Sequence, residues 1–383
     1  MDKNSQKIIT AYTMQGARIE TKARVTLRGK KDFSLWYTPG VGAAALHLAK
    51  HPKDAREMSL KRNSVAIVSD GSAVLGLGNI GPYGALPVME GKALIFKEIA
   101  GVDAWPIVLA TQDPDEIVRV VKAIAPVFGG INLEDIAAPK CFEIEKRLIK
   151  ELDIPVMHDD QHGTAIVVLA GLINATKVVK KNFKKLRVVI SGAGAAGTAV
   201  AKLLLAAGIR DIVLLDRKGV IYRGRPGRAG HGLNVHKAEL ARFTNPRRVM
   251  GDLSDAMRRA DVFVGVSSKG LLQAKHVATM APRGIVFALA NPDPEILPKE
   301  AKRAGAMVVA TGRSDYPNQI NNALVFPGIF RGALDKGVSK ITEETKLRAA
   351  RALAALIPHP SSLKIIPDLL DPRVVKAVAK SVR

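Results

Sequence analysis

One cysteine, Cys141, occurs in 383 residues, which excludes an internal disulfide framework and suits a reducing compartment. Its neighbours Phe142 and Ile144 make it a packed thiol rather than a nucleophile. Aromatic residues are only 4%, too few for the stacking platforms that bind single strands, and no zinc-finger or RNP-type spacing occurs. No apolar run approaches the roughly 20 residues that cross a bilayer, so no membrane association is expected. The N-terminus, MDKNSQKIIT, is polar and lacks a signal-peptide core, so the expected location is cytoplasmic. Acidic residues are also scarce: 35 Asp and Glu stand against 58 Lys and Arg, a net charge of +23. The surplus sits in residues 217–259 and toward the C-terminus. It reads either as a basic solvated surface or as weak, non-specific attraction for nucleic acid through counterion release. No specific nucleic-acid partner is expected.

What is present is 47% hydrophobic residues, enough for sizeable cores, and a length suited to two domains. The chain is organised around residues 187–217, RVVISGAGAAGTAVAKLLLAAGIRDIVLLDR. An apolar run leads into Gly192, Gly194 and Gly197, spaced G-x-G-x-x-G. An Ala/Leu-rich helical stretch and a second apolar run follow, ending at Asp216. The first glycine permits a tight strand-to-helix turn, the second lets backbone approach a pyrophosphate, and the third lets helix pack on strand. Asp216 lies where a carboxylate accepts hydrogen bonds from an adenosine ribose. The alternative is an ordinary βαβ turn.

Residues 1 to about 30 mix helix and turn signals. In SLWYTPGVG, residues 34–42, Pro39-Gly40 marks a turn before a helix. Tyr37 is then at a strand end or loop, facing a cleft or packed beside the turn. A strand and a Ser69-Asp70-Gly71 turn precede a glycine-rich loop and a buried helix over 87–99. In that helix Lys92 sits among Ala93, Leu94, Ile95 and Phe96. Desolvation lowers a lysine's pKa and makes it usable as a base; the alternative is that Lys92 snorkels to solvent. Residues 102–110 read as a buried strand, and Asp113-Pro114 starts a helix. Strands at 128–133 and 154–157 deliver Glu134-Asp135 and His158-Asp159-Asp160-Gln161-His162. Paired acids on two strand ends make a site for a hard cation, Mg²⁺ or Mn²⁺, or else cap a helix. The histidines lack a zinc-site spacing. A long apolar helix over 164–181 links a domain of residues 1–160 to one of residues 161–383. Residues 220–228 form a hairpin or loop, and strands fall at 260–265, 284–290 and 307–310. Asn291 follows the middle strand of these three, and Asn322 precedes a helix starting near Gly328; each asparagine on its own serves a turn equally well.

Together these stretches resemble the malic enzyme family in its short bacterial and archaeal form. The matching segments are SLWYTPGVG, VAIVSDGSAVLGLGNIGP, LPVMEGKALIFKEIAGVDAWPI, INLEDIAAPKCFEIE, PVMHDDQHGTAIV, GAGAAG, ALANPDPE and GRSDYPNQINNALVFPGIFRGAL, in order from about residue 34 to 334. The resemblance implies an α/β chain of two domains, an N-terminal α/β substrate and metal domain and a Rossmann-type dinucleotide domain. It implies oxidative decarboxylation of L-malate to pyruvate and CO₂ by a homodimer. Glu134, Asp135 and Asp160 match the ligands of Mg²⁺ or Mn²⁺, with Asp159 beside them. Lys92 matches the general base, Tyr37 the general acid, and Asn291 and Asn322 the positions that hold substrate. Asp216 favours NAD, because a carboxylate repels a 2′-phosphate, while Arg217 and Lys218 are suited to accommodate one, which leaves NADP open. The chain departs from the family at Gly42-Ala43-Ala44-Ala45, where an acid-containing stretch is common. Two rival readings stay open: a 2-hydroxy acid dehydrogenase that releases no CO₂, and a basic nucleic-acid-binding protein on the same fold.

Overall fold

The computed structural model describes residues 3–226 and 233–383. Its described strands form two sheets, each built largely of parallel strands with helical crossovers. The first sheet contains β1 (Ser64–Ser69), β2 (Asp103–Val108), β3 (Gly130–Leu133) and β4 (Val156–His158) in the order β2-β1-β3-β4, all parallel. β1 and β3 are wholly buried, as parallel strands covered on both faces should be. β2 differs from the expected buried strand: it is the sheet edge, and only Ala104 in it is buried.

The helix after β1 spans Gly81–Ala100 and starts six residues before the expected 87–99, with proline in its first turn. Asp113 caps the helix Pro114–Ile124 as expected, its Oδ1 accepting from the Glu116 N–H at 2.8 Å. β4 runs without a loop into the helix Asp159–Val179, so that DDQHGT is helical rather than a strand-end loop. Asp159 and Asp160 in the first turn favour this start because the helix N-terminus attracts negative charge. Contrary to the sequence expectation, this 21-residue helix is long and apolar enough to cross a bilayer by length and composition. Within its most apolar window, however, 72% lies inside the protein. It is a core helix.

The second sheet contains β5 (Arg187–Ser191), β6 (Asp211–Asp216), β7 (Gly219–Val220), β8 (Val262–Gly265), β9 (Gly284–Ala288) and β10 (Ala306–Thr311). The order β10-β9-β8-β5-β6-β7 is the Rossmann order with its third strand reduced to the short antiparallel hairpin partner β7. Part of the expected 220–228 loop, including Arg228, lies outside the described residues. The expected helix near Gly328 starts at Phe326 and runs Phe326–Lys336.

One hydrophobic core joins the two sheets. Met89, Ala93 and Phe96 of Gly81–Ala100 belong to it, as do Ile166, Leu169 and Leu172 of the long helix. It continues through Val188, Val264 and Phe287 of the second sheet to Phe326 and Phe330. The N-terminal segment is built otherwise: helices Lys3–Gln15, Lys30–Trp36 and Val41–Lys50 bury no residue at all.

Candidate active site

The first sheet has the 2-1-3-4 order whose crevice opens at the carboxyl ends of its strands, and the acids stand at that edge. Glu134 and Asp135 follow β3, and Asp159 and Asp160 follow β4. Glu134, Asp135 and Asp160 each offer a carboxylate oxygen, all within 4.8 Å of one another. Asp135 takes a left-handed backbone conformation, φ +53°, and its N–H donates to Asp160 Oδ2 at 2.8 Å. Burial, and then the like charge of Asp160, push the Asp135 carboxyl up to about 8; burial also drives Glu134 well above the carboxylate range, against the pull of Lys92. Asp135 Oδ2 and Asp159 Oδ1 are buried with no hydrogen-bond partner. No side chain caps the start of Asp159–Val179 by a hydrogen bond, so Asp159 and Asp160 act on that helix end through charge alone. Hard oxygen ligands, mutual repulsion and orphaned lone pairs fit one divalent cation.

Lys92 does not snorkel. Its side chain is 7% exposed, with Nζ 2.7 Å from Glu134 Oε2, in a close ion pair with Asp159, and 4.0 Å from the centre of the Phe326 ring. Burial pushes the ammonium toward losing its proton, but the charges of Asp159, Glu134 and Asp160 outweigh it and the net direction is upward. This corrects the expectation of a pKa lowered by desolvation: the buried surroundings are apolar on one side and anionic on the other.

Sequence reasoning missed the brace behind these acids. Buried Glu145, from the helix Lys140–Glu151, accepts the His158 N–H at 2.7 Å, Gln161 Nε2 at 3.2 Å and His162 Nε2–H at 3.0 Å. Lys346 Nζ donates to His162 Nδ1 at 2.9 Å, which tethers the helix Glu343–Ala355 to the same turn. His162 is thereby spent on protein partners. His158 keeps both ring nitrogens buried and unpartnered, with Nε2 3.8 Å from Asp160 Oδ2. The apolar spacing of Lys140–Glu151 put Glu145 on the inward face between Ile144 and Leu148, which was the one available signal. Cys141 on that helix is buried, and burial pushes its thiol up, as a packed cysteine requires.

At the second sheet each glycine does what its position demands. Gly192 has φ +113°, a side chain on Gly197 would strike the Gly192 carbonyl, and Gly194 starts the helix Ala195–Ala206 with open space where a Cβ would be. The cradle fits a dinucleotide pyrophosphate. Asp216 closes β6, but its carboxylate accepts from the Lys218 N–H, from Arg225 and from Lys237. Arg217 and Lys218 are exposed.

Asn322 packs beside Gly163 of the acid-bearing helix, where a Cβ would lie 3.0 Å from its own. Asn291 is exposed after β9, its side chain over Gly312. Gly76 of the β1 loop passes so close to the Asn291 carbonyl that no side chain fits between them. Buried Glu295, also missed, accepts the Ser267 and Ala290 N–H groups at 3.0 and 3.1 Å and ties the loops after β8 and β9 together. Tyr37 is not brought to this cluster. It caps the helix Lys30–Trp36, is 60% exposed, and its ring meets Phe33 edge-on at 5.4 Å.

Known proteins share this sequence and architecture. Residues 16–149 match the malic enzyme N-terminal domain and residues 161–382 the malic enzyme NAD-binding domain. The NAD-dependent malic enzyme of Geobacillus stearothermophilus is 54% identical over 96% of this chain and 76% of its own. The bifunctional malic/malolactic enzyme of Bacillus subtilis is 53% identical over 98% and 92%. The crystal structure of NAD-dependent malic enzyme from Thermotoga maritima superposes with TM-score 0.93 at 47% identity, covering 98% of both chains. An NADP-dependent malic enzyme of Halomonas elongata is 45% identical over 94% and 87%.

Proposed function

Because the chain belongs to the malic enzyme family, we propose that it oxidatively decarboxylates L-malate to pyruvate and CO₂ with reduction of NAD(P)⁺. The observation that carries this reading is Lys92, buried against Glu134 and Asp159 beside three carboxylates spaced for one cation. Glu134, Asp135 and Asp160 would hold Mg²⁺ or Mn²⁺. A cation held there would supply Lewis-acid polarisation and would offset the carboxylate charge around Lys92.

Lys92 then takes the C2 hydroxyl proton, with Asp159 fixing the direction of its Nζ. Asn322, beside Gly163, and Asn291, after β9, hold substrate carboxylates from the two sides of the cleft. The glycine loop and the start of Ala195–Ala206 seat the dinucleotide, which supplies the hydride acceptor. Asp216 marks the adenosine end of that seat.

We further propose residues 1–160 and 161–383 as the two domains, a homodimer and a cytoplasmic location. Exposed Leu35, Trp36 and Leu46 on the N-terminal segment support the dimer. Tyr37 follows Trp36 in the chain and is exposed as well, and its role as the acid that protonates C3 rests on the packing of this segment in the dimer. The decisive assay follows reduced-nicotinamide absorbance with L-malate, Mn²⁺ and NAD⁺ or NADP⁺, with pyruvate measured in the same tube. Stoichiometric pyruvate is expected; oxaloacetate alone would point to the non-decarboxylating dehydrogenase.

A further inference from the structure

We infer that His158 is a positioning residue of the cation site, its Nε2–H holding the Asp160 carboxylate in the orientation that takes the divalent ion. The inference rests on the cation-site reading of Glu134, Asp135 and Asp160.

The three acids are held unequally. Glu134 accepts Asn132 Nδ2 at 3.0 Å and pairs with Lys92 at 2.7 Å, all three residues being buried. Asp135 is buried too and rests against the β1 loop, whose Leu75 N–H donates to its Oδ1 at 3.4 Å. Asp160 is the most exposed of the three, its side chain at 32%. Among the described residues its carboxylate has a single hydrogen bond, from the Asp135 N–H. One bond leaves that side chain free to turn, whereas a cation ligand is normally fixed by a further partner behind it.

His158 stands where such a partner is needed. It ends β4, on the same strand face as Val156, which packs with Ile144 and Leu148 of Lys140–Glu151. Its ring is wholly out of water and neither nitrogen has a partner. Buried polar groups are rarely left so, and an unpaired one costs stability, so the exception calls for a function. The other groups on that side are already engaged. Glu145 accepts the His158 backbone N–H on one oxygen and Gln161 and His162 on the other, and Lys346 donates to His162. Among the described residues, Asp160 is the one carboxylate in ion-pair range of the His158 ring, with Oδ2 3.8 Å from Nε2. That is about 0.8 Å beyond an ordinary N–H···O bond, a gap that a turn of the loosely held Asp160 side chain closes. Neutral imidazole carries one N–H, and its bond to a carboxylate is of the strong, charge-assisted kind. With about four lone-pair sites, Asp160 can serve the cation, the Asp135 N–H and His158 together.

The test is Mn²⁺ titration of the full-length protein, without malate or dinucleotide, followed by electron paramagnetic resonance. His158→Leu should weaken Mn²⁺ binding about tenfold. The melting temperature of the metal-free variant should hold or rise, because a buried unpaired polar group is gone. A merely structural histidine would do the reverse, lowering the melting temperature and leaving affinity unchanged. His158→Gln, whose amide Nε2 takes the place of the ring Nε2, should bind Mn²⁺ within about threefold of the parent. In the Asp160→Asn background His158→Leu should weaken binding no further, since His158 acts through Asp160. His158→Met replaces His158→Leu if the latter does not fold. Parental affinity in the apolar variant, equal losses in His158→Leu and His158→Gln, or a further loss in the double variant overturns the inference and leaves the cation site standing. A parent protein that binds no Mn²⁺ overturns both.

Discussion

Lys92 Nζ stands 2.7 Å from Glu134 Oε2 with both side chains almost fully out of water. The lysine comes from the helix after β1 and the glutamate from the end of β3, so one ion pair links the proposed base to the proposed cation ligands. A buried pair of this kind gives little net stability, yet removing one partner strands the other. Its value here is arrangement: Phe326 covers one side of the ammonium, and the carboxylates take the other.

Lys92→Met should therefore lower turnover by at least about a thousandfold, a loss at the upper part of the range for general-base removal. Binding of NAD⁺ should change less than twofold. The metal-free variant should also lose about 3 kcal/mol or more, because Glu134 and Asp159 stay buried without their cation. Steady-state kinetics, cofactor titration and urea unfolding measure the three effects, and near-normal turnover would remove Lys92 as the base.

Asp160→Asn should weaken Mn²⁺ binding by about tenfold or more, since it removes one of three ligand charges and leaves a single oxygen to serve both the cation and the Asp135 N–H. Mn²⁺ titration followed by electron paramagnetic resonance reads this without turnover. Unchanged affinity would refute the ligand assignment.

Glu145 ties stability to pH. Burial raises its pKa, but the charge and hydrogen bond of His162, then His158 and Lys346, pull it down to about 2, below the ordinary 4.5. A depressed carboxyl pKa stabilises the fold above the unfolded value and loses that contribution as pH falls from about 4.5 through about 2. Glu145→Gln should thus be less stable than the parent at pH 7 by on the order of 3 kcal/mol, from about 1.36 kcal/mol per unit. The gap between the urea midpoints should shrink to about a quarter of that by pH 2.5. An equal gap at pH 7 and pH 2.5 would show that packing, not charge, supplies the effect.

Gly76→Ala should raise the KM for malate about tenfold and lower the melting temperature by a few degrees. The added methyl meets the Asn291 carbonyl, and the Asn291 loop is the part that must yield. An unchanged KM would mean that this loop does not set substrate binding.

Much of this was legible beforehand because the signals are local. G-x-G-x-x-G with flanking apolar runs specifies a strand, a turn and a helix start, and all three are present. Acids ending β3 and β4 were likewise visible as strand-end residues. Three things were not. The helix Asp159–Val179 starts earlier than its sequence suggests, because HDDQHGT has turn-like composition and the His158 N–H is held by Glu145, distant in sequence. The direction of the Lys92 shift depends on three carboxylates brought in by other elements. Arg225 and Lys237 lie 9 and 21 residues beyond Asp216, and no periodicity announces that they converge on it.

The helix Asp159–Val179 has a further mechanical consequence. It carries the acids at its tip, while Gly171, twelve residues along, rests against Phe287 and Ile320 of the dinucleotide side. Those twelve residues make a lever arm of about 18 Å. A tilt of about 3° at the Gly171 fulcrum sweeps the tip by about 1 Å, and a displacement of that size costs about a hundredfold in rate. The apolar bearing at Gly171 would thus set, from a distance, the alignment of the proposed cation ligands at the tip, although it touches no reacting atom.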